Sequence, residues 1–179
     1  NAEKKGTVGI CFIGKVNLKK FLQKKIPPKP GDILNPEGKI IGKHDGIYYY
    51  TIGQRICPRY GLDVSRGKGE QKKWYVARKN LKNNEIIAAS EGHELNFRQN
   101  IIIKSPHWIS EQPQKNKPTK VFSRIRQVGE LLQSTLTYNQ KTKHFEVKLK
   151  KPITGVSEGQ AVVLYKAEKC LGGGVISFN

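Results

Sequence analysis

From Gly92 to the end of the chain, short alternations of apolar and polar residues recur between polar turns. That period of two constrains the fold more than any other feature, because it puts one face of each segment inward and the other in water. Residues 97–104, 119–127, 131–138, 144–149, 160–167 and 173–178 are the clearest such runs. Phe145, Val147 and Leu149 share one face, and Val121, Ser123 and Ile125 are separated in the same way from Phe122, Arg124 and Arg126. About six short strands in even succession predict a small closed antiparallel β-barrel, which leaves no edge exposed.

The part before Gly92 is also mainly β but more broken. The helical spacing of Leu18, Phe21, Leu22 and Ile26, with Asn17 as N-cap, predicts a short helix over 17–26. Pro27, Pro28 and Pro30 end it. Short strands are expected at 33–34, 39–42, 47–52, 74–77 and 85–89, with a Gly-rich basic loop between Arg55 and Lys73. The chain therefore divides into a loop and helix over 1–26, a β-rich central domain over 27–92 and a barrel over 93–179.

The formal charge is +19, from 33 Lys and Arg against 14 Asp and Glu, and both sides of Gly92 are basic. A field of that size on a globular chain attracts polyanions, nucleic acid above all. A membrane surface is the rival partner, but the sequence has no long apolar run, signal peptide or basic amphipathic helix to support it. Cys11, Cys57 and Cys170 have no metal-type spacing, which suits a reducing cytoplasm, and the four scattered histidines argue against a zinc site.

Cys11 stands between Gly9 and Gly14 among apolar residues, ahead of the predicted helix and near Lys15, Lys19 and Lys20. Such a thiol reads either as a small buried hydrophobe or as a reactive thiolate favoured by positive charge. Cys170, on a predicted strand, is expected to be hidden, and Cys57 to lie at the surface. His44 and Asp45 could form an acid–base pair, but Asp45-Gly46 is also a turn element, and Arg55 could pair a carboxylate. The structural reading is preferred there. In Tyr48-Tyr49-Tyr50, alternation would put Tyr49 opposite its neighbours, with at least one ring in the core. Arg124 and Arg126 share one strand face with no acid in the strand, and arginine forks suit phosphate.

Gly9 to Gly14, His44-Asp45-Gly46 followed by Tyr50-Thr51-Ile52-Gly53-Gln54-Arg55, Trp74-Tyr75-Val76, and Cys170-Leu171-Gly172-Gly173-Gly174 occur in that order. In content and spacing they resemble the C-terminal half of the tRNA-specific 2-thiouridylases. The resemblance implies a last domain like the β-barrels of translation factors. It also implies that Arg124 and Ile125 stand at the first two tRNA-contacting positions of an Arg-Tyr-Arg-Gln motif, with Ile125 in place of the aromatic, and that Gln160 stands at another. The Cys-Leu-Gly-Gly-Gly run is then architectural. The family's ATP-pyrophosphatase domain and its Ser-Gly-Gly-x-Asp-Ser loop are missing, and the chain starts at Asn1 without methionine, so it reads as a fragment.

The resemblance further implies an enzyme that uses ATP and Mg²⁺, at a site outside this chain, to adenylate the C2 oxygen of a wobble uridine. Cys11 would be the catalytic residue, carrying a persulfide received from a sulfur-relay protein or a cysteine desulfurase. Its sulfur replaces the activated oxygen, AMP leaves, and a second thiol from the missing domain closes a disulfide with Cys11. The chain itself is expected to be a cytoplasmic monomer that binds tRNA through Arg124, Ile125, Arg126 and Gln160, holds no metal and does not turn over alone. The alternative is a non-catalytic RNA-binding barrel module of translation-factor type.

Overall fold

The computed structural model describes residues 18–58, 61–64, 72–109, 112–125 and 129–178. Contacts separate the chain into two units that meet in sequence between Asn96 and Phe97, each with its own apolar core.

In the first unit, α1 (Leu18–Gln23) is followed by β1 (Gly31–Leu34), β2 (Ile40–His44), β3 (Arg55–Ile56), β4 (Asp63–Val64), β5 (Trp74–Asn80) and β6 (Glu85–Ser90). The strands form one sheet in the order β3-β5-β6-β1-β2-β4. Its single parallel pairing joins β1 to β6; β1–β2 and β5–β6 are hairpins, and β2–β4 and β3–β5 are antiparallel pairs between strands not adjacent in sequence. Leu22 and Ile26 pack against the core formed around Ile33, Ile47, Tyr50, Leu62 and Ile86. The helix ends at Gln23, short of the predicted Ile26, and of the predicted stripe Leu22 and Ile26 turn to the core while Phe21 is 42% exposed.

Residues 47–52 are not a strand. Ile47–Tyr49 form a 3₁₀ turn after Gly46, and Tyr50 returns to extended backbone. In a 3₁₀ turn, residues three apart eclipse one another. Ile47 and Tyr50 are accordingly both buried, while Tyr48 is 55% exposed. The turn also lets two consecutive tyrosines enter the core, which strand alternation forbids. Tyr49 donates its hydroxyl hydrogen to the Ile26 carbonyl, and Tyr50 donates to Asp45. These tertiary bonds override the β preference of the run.

The second unit is a closed barrel of β7 (Phe97–Trp108), β8 (Thr119–Arg124), β9 (Leu132–Asn139), β10 (His144–Thr154), β11 (Ala161–Lys166) and β12 (Lys169–Ser177). The strands run in the order β10-β7-β12-β11-β8-β9, and neighbours are antiparallel throughout. The inward sets are those the alternation marks: Val121, Ser123 and Ile125 on one side, Phe145, Val147 and Leu149 on the other, all under 9% exposed. Trp108 and Tyr138 meet Phe145 edge to face, each with ring centroids 5.0 Å apart.

Strand β12 begins at Lys169, ahead of its glycines, and runs through them. A Cβ on Gly172 would lie 2.1 Å from the His107 carbonyl oxygen, and one on Gly173 2.0 Å from that of Val162. The glycines therefore mark close backbone approach within the sheet, not its start.

Candidate nucleic-acid interface

Arg124 ends β8 with its side chain on the outer face, since Ser123 and Ile125 on either side of it are buried. Barrel closure sets β11 beside β8, with Arg124 opposite Val163 and Phe122 opposite Tyr165. The diagonal neighbour Tyr165 lies under the guanidinium, its ring centroid 5.8 Å from Arg124 Cζ. That distance is within the range of a cation–π contact. Arg124 Nε is shielded from solvent without a hydrogen-bond partner, and among the described residues no carboxylate pairs with the group. A positively charged planar fork, steadied by a ring and not neutralised by an acid, can accept a phosphate or a base edge. Tyr165 is the residue the sequence does not flag.

Gln160 sits in the turn before β11, three residues ahead of the position that pairs with Arg124. At roughly 3.3 Å per residue, this puts the two near the same end of adjacent strands. The Gln160 side-chain oxygen accepts from Ser157 N at 3.1 Å, and its carbonyl accepts from Ile176 N at 2.7 Å, so the residue closes its own turn. Ile125 is 8% exposed and belongs to the barrel core, so its side chain offers no surface for stacking. Arg126 and Cys11 lie outside the described residues.

The His44–Asp45 pair is built into the first unit. His44 is 3% exposed; Gly46 N donates to its Nδ1 at 3.1 Å, and its Nε2 stands 3.1 Å from the Asn84 carbonyl oxygen. The acceptor role at Nδ1 leaves the proton on Nε2, a neutral ring. Burial pushes the His44 pKa below 6.5, against the opposing pull of the Asn84 carbonyl and the charges of Asp45 and Asp32. Asp45 takes Lys19 at 2.8 Å and the Tyr50 hydroxyl, and Lys19 Nζ also donates to that hydroxyl at 3.0 Å. Desolvation raises the Asp45 pKa, but the bonds from Lys19 and Tyr50 outweigh it and hold the carboxyl below its usual value. Lys19, not Arg55, is thus the cation that meets this carboxylate. Fixed in this way, the cluster ties α1 to the sheet and has no unoccupied acid or base to offer a substrate.

Cys170 is half-buried, not hidden as expected, because alternation sends its neighbour Leu171 inward and Cys170 out. Cys57 is half-buried as well. Among the described residues, no group of three or more His, Cys, Asp and Glu is placed to hold a metal ion, and no helix is long and apolar enough to cross a membrane.

Both units match known domain families. Residues 19–90 match the tRNA methyl transferase PRC-barrel domain, and residues 98–176 the aminomethyltransferase beta-barrel domain. The protein is thus a two-domain β protein of the kind found in tRNA-modifying enzymes. Across 98% of its length it is 41% identical to the tRNA-specific 2-thiouridylase MnmA of Actinobacillus succinogenes, covering 44% of that protein. Identity to the Coxiella burnetii protein of the same name is 38%, over 99% of the chain and 48% of the relative. For Lactobacillus gasseri it is 36%, over 98% and 46%. The chain belongs to the tRNA-specific 2-thiouridylase family, and it spans about half the length of the curated relatives it matches.

Proposed function

We propose that this chain is the tRNA-binding part of an ATP-dependent tRNA sulfurtransferase that 2-thiolates the wobble uridine in the cytoplasm. The observation that carries the reading is the Arg124 guanidinium, held over Tyr165 on the outer barrel face without an acidic partner, in a chain of this family. Arg124 contacts the tRNA directly, Gln160 holds the turn beside it, and Arg126 adds charge.

The sequence has no Ser-Gly-Gly-x-Asp-Ser loop, and the described residues do not group into a metal site. The residues at hand do not fit ATP or Mg²⁺, which in this reading belong to the part of the family's length outside the match. What this chain adds is tRNA affinity and the thiol of Cys11. That thiol takes a terminal sulfur as a persulfide from a sulfur-relay protein or a cysteine desulfurase; in this reading the terminal sulfur bonds to C2 of the adenylated uridine as AMP leaves. A second thiol outside the chain then bonds to the Cys11 sulfur, the bond between that sulfur and the transferred one breaks, and the thiolated uridine is released as the disulfide forms. Alone, the chain binds tRNA as a monomer and does not turn over.

The test uses the full-length enzyme. Arg124→Ala should weaken tRNA binding by roughly 1–3 kcal/mol. Cys11→Ser should abolish both thiolation and desulfurase-driven radioactive sulfur labelling of the Cys11 peptide, while Cys57→Ser and Cys170→Ser keep most of each. Normal thiolation by the Cys11→Ser enzyme would overturn Cys11 as the persulfide carrier and leave this chain only its RNA-binding part in the reaction.

A further inference from the structure

The outward residues of β8 form a row, Lys120, Phe122 and Arg124, at roughly 6.6 Å intervals. Register carries that row across the neighbouring strands. Lys120 lies opposite Thr135 of β9, which lies opposite Lys148 of β10; Phe122 lies opposite Gln133, whose side-chain oxygen accepts from Lys150 Nζ at 2.8 Å. The residues between them, Val121, Ser134 and Leu149, are buried, so both rungs face outward.

A depression of about 580 Å³ lies over these rungs, lined by Lys120, Lys148, Lys150 and Lys166 with Phe122 and Gln133 among its other walls. A second, of about 630 Å³, shares Lys120 and Lys166 and adds Lys117 and Lys169. A third, of about 260 Å³, shares Lys150 and Gln133 and adds Lys151. Among the described residues, no carboxylate lines any of the three. The ion pairs Lys19–Asp45 and Lys73–Glu91 are in the other unit.

We infer that this lysine track is a second RNA site, one that holds the sugar–phosphate backbone as it leaves the Arg124 contact. The inference rests on the reading that the chain binds tRNA. Lysines are mobile point charges that neutralise phosphates without reading bases. Lys120 and Lys148 are two strands apart, roughly 10 Å. Phe122, 37% exposed at the centre, gives an apolar surface for a ribose or base. A groove with charge on both walls suits a strand of backbone better than a flat membrane. An acidic protein is the competing occupant.

The test compares the wild-type chain, Arg124→Ala, and the triple variant Lys120→Gln/Lys148→Gln/Lys166→Gln, each binding fluorescent tRNA, an RNA duplex of unrelated sequence, and poly-glutamate across a salt series. The triple variant should lower the slope of log affinity against log salt by about 2–3, since each lost phosphate contact is worth about 0.9. The loss should be equal for tRNA and duplex, and the triple Lys→Arg variant should restore it. Arg124→Ala should change the slope by about one. Wild-type RNA binding with the slope unchanged in the triple variant overturns the track and leaves the Arg124 site standing. Loss of poly-glutamate binding alone overturns it in favour of an acidic protein. Absence of wild-type RNA binding overturns both readings.

Discussion

The two ring nitrogens of His44 are used in opposite senses, one accepting from Gly46 and the other facing the Asn84 carbonyl. A second proton on the ring would put an N–H against the Gly46 N–H inside a buried site, where an unmet donor is costly. Burial holds the folded pKa below the ordinary 6.5. A group with a depressed folded pKa contributes stability that is present above its unfolded value and lost as pH falls through the folded one. Stability of the first unit should therefore decline as pH drops below about 6.5. The Asp45 carboxyl, also depressed from 3.8, adds its own loss only in more acid solution. Urea titrations at pH 7.5, 6.5, 5.5 and 4.5 check this, and His44→Gln should flatten the change across the upper three. A wild-type midpoint that does not move between pH 7.5 and 5.5 would contradict the neutral, doubly bonded ring.

At the scale of elements, β12 is the most demanding strand of the barrel. Its glycines lie so close to the carbonyls of β7 and β11 that an added methyl group would meet backbone, which cannot swing aside as a side chain can. Gly173→Ala should cost roughly 1–3 kcal/mol or more, by overpacking. Gly38→Ala, with nothing within 4 Å but a φ of +84, should cost only about 1 kcal/mol of backbone strain. Chemical denaturation of the two variants makes the comparison, and equal losses would remove the close-approach account. The same strand shows what a sequence can disclose. Alternation exposes five of the six barrel strands because one face is buried against water, but Gly172 to Gly174 interrupt the pattern, and β12 reads as beginning too late. The 3₁₀ turn at Ile47–Tyr49 was illegible for another reason: its tyrosines answer to Ile26 and Asp45, contacts that no local propensity encodes. The outward setting of Arg124 was legible from its strand alone. Tyr165 was not, since it comes from a strand some forty residues away whose adjacency is fixed only by barrel closure. The lysine track is invisible in sequence for the same reason, its members being scattered over four strands and their turns.

At the scale of the whole molecule, the excess of basic charge sets two effects against each other. A charge of +19 on 179 residues repels itself in the folded state, and the ion pairs seen among the described residues are partly exposed and contribute little. Salt shortens the reach of that repulsion, from about 30 Å at 0.01 M to about 10 Å at 0.1 M. The melting temperature of the free chain should therefore rise by several degrees over that range. On the proposed reading, bound tRNA would relieve the same repulsion more locally, by putting phosphates against Arg124 and its basic surroundings, and would stabilise according to its concentration relative to the dissociation constant. Because affinity falls with salt while the free chain gains stability, the tRNA-induced shift should shrink steeply and the two melting curves converge. Scanning fluorimetry with and without tRNA, at matched salt steps, measures both terms together. A free chain whose melting temperature falls with salt would mean that attractive pairs outweigh the repulsion. A tRNA-induced shift that holds constant with salt would mean that the complex is not held by its charge.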